Sequence, residues 1–196
     1  MKHNQFSSAA LIAIALSISG CMTRGDNNGF LTADSGAFVT VGGAPMYPNR
    51  NIIENAVNSA DHTTLVAAVK VAGLVETLSG AGPFTVFAPT NAAFAKLPAG
   101  TVDTLLQPAN RPMLQSVLTY HVLPGRFTAA DLMARIRSGG GTARLTTVQG
   151  GILTARMRGG RIMLIDGKGG MSQVTQGNVF QSNGVIHVTD AVSIPG

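Results

Sequence analysis

Two kinds of periodicity divide the sequence after residue 50, and they follow one another instead of alternating. Apolar residues recur at helical spacing through the first part, for example over residues 63–72, and one β-rich run interrupts them at residues 84–88. After Gly139-Gly140-Gly141 the chain becomes a series of short β-rich segments separated by glycine pairs. Alternating strands and helices would predict a parallel α/β sheet, whereas this order predicts an α+β domain.

Capping residues and chain breakers bound the individual elements. Helices are predicted at residues 52–57, 63–72, 74–78, 92–97, 101–106, 112–120 and 128–137. Strands are predicted at residues 84–88, 144–148, 152–158, 161–166, 172–175, 179–181 and 185–189. Thr90 or Asn91 can cap the fourth helix. Thr128 and Asp131 form a capping-box pattern for the seventh helix, and the Asn-Gly pair that begins at Asn183 predicts a hairpin.

The composition is that of one ordered domain without sulfur cross-links. Hydrophobic residues make up 45% of the 196 residues and charged residues 12%, which is too apolar for a disordered chain. A single cysteine excludes an internal disulfide framework and a cysteine-rich zinc site.

The N-terminus has the features of an exported lipoprotein. Residues 9–18 are almost entirely apolar and follow Lys2, and this run is too short for a bilayer span of about 20 residues but fits a signal-peptide core. It ends in Ile18-Ser19-Gly20-Cys21, which resembles a bacterial lipobox, and Cys21 is the only cysteine. We therefore predict that residues 1–20 are a cleaved signal peptide and that Cys21 is lipidated. The alternative is an ordinary secretory signal with an unrelated cysteine.

Residues 21–48 are predicted to be a lipid-anchored flexible tether, because residues 22–48 are rich in small and polar residues and have no apolar period. The folded domain is then predicted at residues 49–196. Met22 follows the cysteine in place of the aspartate that typically retains lipoproteins in the inner membrane. This favours a cell-envelope location at the outer membrane, on its periplasmic or surface side.

Three segments resemble the motifs of fasciclin (FAS1) domains, in the order found in that family. They are FTVFAPTNAAFAKLP at residues 84–98, LTYHVLPG at residues 118–125 and NGVIHVTDAVSIP at residues 183–195. The resemblance extends over about residues 46–195. It implies a single FAS1 domain, a β-wedge with a helical layer, and an adhesion or interaction role outside the cytoplasm. The motif positions to which it gives a structural or binding role are Tyr120, His121, Thr90, Asn91, Asn183 and His187.

No pattern of catalytic residues accompanies these motifs. His121, beside Tyr120, could be a general base or a metal ligand, but a buried imidazole bonded to backbone or to a polar side chain such as Asn91 is the favoured interpretation. His187 lies between two apolar residues, as expected in a core or at a sheet edge. The sequence contains no Gly-x-Ser-x-Gly elbow, no His-Glu-x-x-His motif and no phosphate-binding loop. We expect neither an enzyme nor a bound metal or cofactor.

Charge is distributed unevenly in the second half of the chain. Six arginines fall within residues 135–161, and no acidic residue lies between Asp131 and Asp166. Four of them lie in or beside predicted strands: Arg144, Arg156, Arg158 and Arg161. These four form a candidate patch for an anionic partner, such as an acidic polysaccharide, a lipopolysaccharide phosphate or the membrane surface. Alternatively, acids from elsewhere in the fold, such as Asp103 or Asp166, neutralise them.

Two functions are compatible with these features. The first is a non-enzymatic envelope lipoprotein whose domain mediates adhesion to a cell-surface or matrix protein or to an anionic glycan. The second is a periplasmic binding protein for a small apolar or lipid-like ligand held between the helices and the sheet. The chain has no tryptophan and two tyrosines, which argues against a stacked sugar site. Nucleic acid is not an expected partner, because no aromatic residues are interleaved with the arginines.

Overall fold

The computed structural model describes residues 38–196. Within this range the helices are α1 (Ile52–Ala56), α2 (Thr63–Ala72), α3 (Val75–Ser79), α4 (Asn91–Ala95), α5 (Thr101–Leu105), α6 (Arg111–Tyr120) and α7 (Ala129–Ser138). The strands are β1 (Val39–Val41), β2 (Ala44–Met46), β3 (Phe84–Pro89), β4 (Val122–Pro124), β5 (Thr142–Thr146), β6 (Ile152–Arg158), β7 (Arg161–Ile165), β8 (Met171–Gln181) and β9 (Gly184–Thr189). Helices dominate the first part and strands the second, so the predicted α+β class is confirmed.

A seven-stranded sheet with the order β4-β3-β9-β8-β7-β6-β5 organises the domain. The pair β3–β9 is parallel, and every other neighbouring pair in this sheet is antiparallel. The long strand β8 links the two ends of the sheet, and its pairing with β9 shifts between Val174 and Val179. Such bulges bend a strand and increase its twist, which accounts for the wedge shape that the family resemblance implies.

Each end of the sheet has its own apolar core. One core lies between the helical layer, including α2 and α6, and strands β3 and β9. The other lies between α7 and the inner face of β5, β6 and β7, and it includes Phe87 and Tyr120. Strand β3 contributes to both cores: Val86 packs in the first and Phe87 in the second. This explains why the strand is apolar on both faces, as its sequence predicts.

Local signals predicted most elements well. Helix α2 begins and ends at the predicted residues, with Gly73 in the left-handed conformation at its C-terminus. Thr128 and Asp131 form the predicted capping box of α7. The two strands predicted at 172–175 and 179–181 are wrong as separate elements, because both are part of β8. The glycine between them, Gly177, lies inside the bulged region instead of in a turn.

The prediction that residues 21–48 are a tether is wrong for residues 39–46. These residues form the hairpin β1–β2, with Gly42 and Gly43 at positive φ as a two-residue turn requires. Val41 is 6% exposed and Met46 is 3% exposed, and both belong to the first apolar core. Two strands of three residues are too short to produce a recognisable period, and the Gly42-Gly43 pair is the one local signal of this hairpin. The folded domain therefore begins before residue 49. The predicted signal peptide, Cys21 and residues 22–37 of the predicted tether lie outside the described residues.

No helix within residues 38–196 combines the length and the apolar character that a membrane crossing requires.

Candidate functional site

The Tyr120 side chain connects the end of α6 to the second half of the sheet. It is 1% exposed, and its hydroxyl donates to the Ile152 carbonyl at 2.7 Å and accepts from the Gly167 amide at 2.9 Å. Burial raises the pKa of Tyr120 above its ordinary value, and the bond from Gly167 offsets part of that rise. The hydroxyl is therefore neutral and fully used in holding β6 and the β7–β8 turn against α6.

His121 is buried and hydrogen-bonded at both ring nitrogens. Nδ1 lies 2.8 Å from the Val117 carbonyl, and Nε2 accepts from the Ser193 amide at 2.9 Å. These partners fix the neutral tautomer with the proton on Nδ1. Burial lowers the pKa of His121, and the Val117 carbonyl offsets part of that shift. Neither nitrogen is free to bind a metal or move a proton, and Asn91 is not its partner, so that predicted partner is wrong.

Thr90 and Asn91 are adjacent but stabilise different helices. The Thr90 hydroxyl accepts from the Ala93 amide at 3.2 Å and caps α4. The Asn91 side chain instead reaches the start of α2, where Oδ1 accepts from the Thr64 amide at 3.0 Å and Nδ2 donates to the Ala60 carbonyl at 2.9 Å. The predicted choice between the two residues as the cap of α4 is therefore decided in favour of Thr90.

Asn183 connects the β8–β9 turn to two helices. Its Oδ1 accepts from the Ile52 amide at 3.0 Å, and its Nδ2 donates to the Leu78 and Gly80 carbonyls at 2.8 Å. The predicted hairpin is present, with Gln181 opposite Gly184. The side chain of Asn183 thus anchors the hairpin to the helical layer.

His187 lies inside the sheet and is fully buried. Its Nε2 lies 2.8 Å from the Phe127 carbonyl, and its Nδ1 accepts a long bond of 3.4 Å from the Asn178 amide. Burial lowers the pKa of His187 to about 4. The imidazole is neutral at ordinary pH and carries its proton on Nε2.

These motif residues share one property: their polar atoms are satisfied inside the protein. Within residues 38–196 no group of three or more His, Cys, Asp or Glu side chains is arranged to hold a metal ion. These contacts join the helices, the β8–β9 hairpin and the sheet to one another.

The four candidate arginines lie on one face of the sheet, where three are exposed and Arg156 is half-buried. Residues directly opposite in an antiparallel pair project to the same face, and alternate residues of one strand do as well. Arg158 lies opposite Arg161, Arg156 opposite Thr142, and Arg144 opposite Thr154. The register therefore places Arg144, Arg156, Arg158 and Arg161 on one face of β5–β7, which we call the arginine face. Helix α7 packs against the other face of these strands.

Carboxylates do not neutralise the arginine face within the described part of the chain. The salt bridge found in residues 38–196 joins Lys96 to Asp190 at 3.5 Å. Asp166, a candidate neutralising residue, accepts instead from the backbone amides of Lys168, Gly170 and Ile194 at 2.7–3.0 Å. The prediction that Asp103 or Asp166 neutralises the patch is therefore wrong, because neither carboxylate is within salt-bridge distance of these guanidinium groups.

Apolar side chains share this face with the arginines. The same register adds Ile152, Met163, Ile165 and Met171, of which Met171 is 50% exposed and Ile152 is 37% exposed. The Arg156 guanidinium contacts the Met171 sulfur at 3.4 Å. The sequence identifies the arginines as a candidate patch but does not single out these apolar neighbours. Alternation along residues 161–165 nevertheless predicts that Met163 and Ile165 project to the same face as Arg161. Positive charge and exposed apolar surface are therefore combined in one place.

A second feature is an apolar cavity between the helical layer and strands β3 and β9. Its volume is about 50 Å³, room for roughly four water-sized groups. Residues that line it include Val41, Ile53, Val66 and Val179, together with the imidazole of His62. His62 Nδ1 lies 2.8 Å from the Ser59 hydroxyl, whereas its Nε2 has no partner among the described residues. Burial lowers the pKa of His62, and the Ala88 carbonyl offsets part of that shift.

A bulged mixed sheet covered by a helical layer, with motif residues that are hydrogen-bonded internally, defines a wedge-shaped α+β domain. Comparison with known proteins agrees with this class. The fasciclin domain model matches residues 60–195. The chain therefore belongs to the fasciclin domain family.

Individual relatives are bacterial. The chain is 48% identical to Protein sll1483 of Synechocystis sp. over 144 residues, which are 74% of this chain and 73% of that protein. It is 34% identical to the Immunogenic protein MPB70 of Mycobacterium bovis over 197 residues, covering 97% and 93% of the two chains. It is 40% identical to the Cell surface glycolipoprotein MPB83 of the same species over 122 residues, 62% of this chain and 48% of that protein.

A solved structure has the same fold. It is the FAS1 domain pair of the insect cell adhesion molecule fasciclin I, with a TM-score of 0.66 and 19% identity. The match covers 74% of this chain and 51% of that two-domain chain.

Proposed function

We propose that this chain is a non-enzymatic interaction module of the cell envelope that binds its partner through the arginine face. The observation that carries the proposal is the clustering of four arginines on an open sheet face without ion-pair partners in residues 38–196. Such a face creates a region of positive electrostatic potential, which favours an anionic partner. The candidate partners are a cell-surface or matrix protein or an anionic glycan. The family supports an adhesion-type role, since one relative is named a cell surface glycolipoprotein.

The proposal includes a lipid anchor at Cys21 and a location at the outer membrane. The lipobox-like segment before Cys21 and the surface lipoprotein among the relatives support it. Mass spectrometry of the protein isolated from membranes tests it, because an acylated Cys21 adds the mass of the attached chains. Cys21→Ser should abolish this mass increase and move the protein out of the membrane fraction. An unmodified mature N-terminus at another residue would contradict the anchor.

The partner can be sought by co-sedimentation with envelope fractions. The protein should begin at Met22, which omits the acylation site but keeps every residue that the structure describes. We expect saturable binding that weakens at high salt, because exposed charges are screened beyond about 10 Å at 0.1 M ionic strength. Arg156→Glu combined with Arg158→Glu should abolish most of it.

A matched control changes the same amount of charge elsewhere. Lys70→Glu with Arg137→Glu reverses two exposed cations that lie on α2 and on α7, the helix that packs against the opposite face of β5–β7. This control should bind as the parent does. Equal binding by the arginine variant and the parent, without salt dependence, would exclude the arginine face as the contact surface.

The apolar cavity supports a second candidate function, the binding of a small apolar ligand. Its lining is mostly aliphatic, and the imidazole of His62 offers one polar contact. Native mass spectrometry of the protein purified from its own host should then reveal a bound small molecule. Val66→Phe, which adds volume at the cavity wall, should remove it. A native mass equal to that of the polypeptide and its N-terminal modification would exclude this function.

A further inference from the structure

We propose that the arginine face docks on an anionic lipid surface, with phosphate groups bound by the arginines and the neighbouring apolar side chains entering the headgroup layer. This deepens the proposed function and rests on the arginine face being the contact surface. The observation behind it is that one face combines four cations with four large apolar side chains.

The register divides the face into two zones. The cations occupy β5, β6 and the first residue of β7, with Ile152 at the start of β6, whereas Met163, Ile165 and Met171 occupy the rest of β7 and the start of β8. Successive residues on one face of a strand are about 7 Å apart and neighbouring strands about 5 Å apart. The face is therefore about 20 Å along β6 and about 14 Å across from β5 to β8. A surface of this size can rest on several lipid headgroups at once.

The cation geometry suits phosphate groups. Arg158 and Arg161 lie directly opposite each other at the end of the β6–β7 hairpin. Like charges at opposed positions destabilise a free sheet, and an anion held between them removes that repulsion. Guanidinium groups bind phosphate oxygens through two parallel hydrogen bonds, which favours arginine over lysine in this role.

The apolar zone distinguishes a lipid surface from a soluble polyanion. A polysaccharide would pair with the arginines and leave Met171, which is 50% exposed, in water. A lipid surface places anionic groups beside an apolar layer, so both zones of the face gain contacts simultaneously. Each arginine close to an anionic surface should strengthen binding about five-fold.

Vesicle co-sedimentation tests the inference, again with the chain that begins at Met22. We expect binding to vesicles of mixed phosphatidylcholine and phosphatidylglycerol and little binding to phosphatidylcholine alone. Arg156→Gln with Arg158→Gln should weaken binding about 25-fold, from two arginines at about five-fold each. Lys70→Gln with Arg137→Gln, which changes exposed cations away from this face, should bind as the parent does.

A second variant examines the apolar zone with the charge unchanged. Ile165→Thr with Met171→Ser should weaken vesicle binding but leave binding to dextran sulfate, a soluble polyanion, unaffected. Circular dichroism of each variant at the assay temperature verifies that it is folded. Loss of vesicle binding by the folded apolar variant supports the inference.

Other outcomes overturn it. Unchanged vesicle binding by the apolar variant, or equal affinity of the parent for dextran sulfate and vesicles, would identify a soluble polyanion as the partner class. Envelope binding that disappears after protease treatment of the envelope would identify a protein. Both results contradict lipid docking and leave the arginine face as the contact surface. Envelope binding that is indifferent to the arginines would instead contradict the proposed function itself.

Discussion

Replacing one of two opposed arginines should make the domain more stable. Arg158 and Arg161 face each other across the β6–β7 pair, so Arg158→Glu converts a like-charge pair into an opposite-charge pair. Cross-strand pairs of this kind contribute about 0.2–1 kcal/mol, favourable for opposite charges and unfavourable for like charges. Both side chains are exposed, and solvent screening reduces such terms. We therefore expect a gain of about 1 kcal/mol, or about 2–4 °C in Tm for a chain of this length.

Urea unfolding followed by circular dichroism, at low and at high salt, measures this gain. Arg158→Gln removes the repulsion without adding attraction and should lie between the parent and Arg158→Glu. The double variant with Arg161→Glu restores a like-charge pair and should lose the gain. High salt should reduce all the differences. If Arg158→Glu is no more stable than Arg158→Gln at low salt, the two side chains do not interact, and the argument about an unrelieved cation pair fails.

Three further changes test the interior of the domain. Lowering the pH from 6.5 towards 4 should destabilise the fold, because the unfolded chain protonates His187 at its ordinary pKa while the folded domain holds that pKa at about 4. Protonation of His187 should lower the free energy of unfolding by about 3 kcal/mol over this pH interval. In urea unfolding, the stability of His187→Gln should therefore depend less on pH between 6.5 and 4. Asn183→Ala removes three hydrogen bonds and should cost about 2–4 kcal/mol in urea unfolding. Tyr120→Phe removes two hydrogen bonds and should lower the stability measured by thermal unfolding by about 1–3 kcal/mol. Envelope binding by the folded variant should stay unchanged.

Each of these changes has an outcome that counts against its reasoning. An unaltered pH dependence in His187→Gln would mean that other groups govern acid unfolding. Parent-like stability of Asn183→Ala would mean that the hairpin is not anchored through this side chain. Reduced binding by folded Tyr120→Phe would assign the hydroxyl a role in recognition, which its burial argues against.

Local signals in the sequence predicted the elements better than the contacts between them. The capping box at Thr128 and the glycine after α2 are specified by residues within one turn, so the sequence sufficed. Asn91 caps a helix 27 residues away, a choice made by tertiary packing that a local capping rule cannot anticipate. The parallel pairing of β3 with β9 joins segments about a hundred residues apart and has no local signature. The strands of the hairpin β1–β2 are too short to be recognised from the sequence. Their position is set by side-chain contacts with the first core, which a local pattern does not reveal.

The segments that carry the family resemblance and the surface that we assign to recognition occupy different strands. The three motifs contribute β3, β4 and β9, whose polar side chains are bonded internally, whereas the arginine face lies on β5–β7, between the second and third motifs. The side chains of β5–β7 that face α7 pack in the second core and fix the position of these strands. The side chains on the arginine face do not pack in that core. Substitutions on the arginine face can therefore change charge and apolar area without disturbing either core. Membership of the fasciclin family therefore predicts how this chain folds, whereas the recognition surface that we propose depends on exposed residues of β5–β7 that lie outside the three motifs.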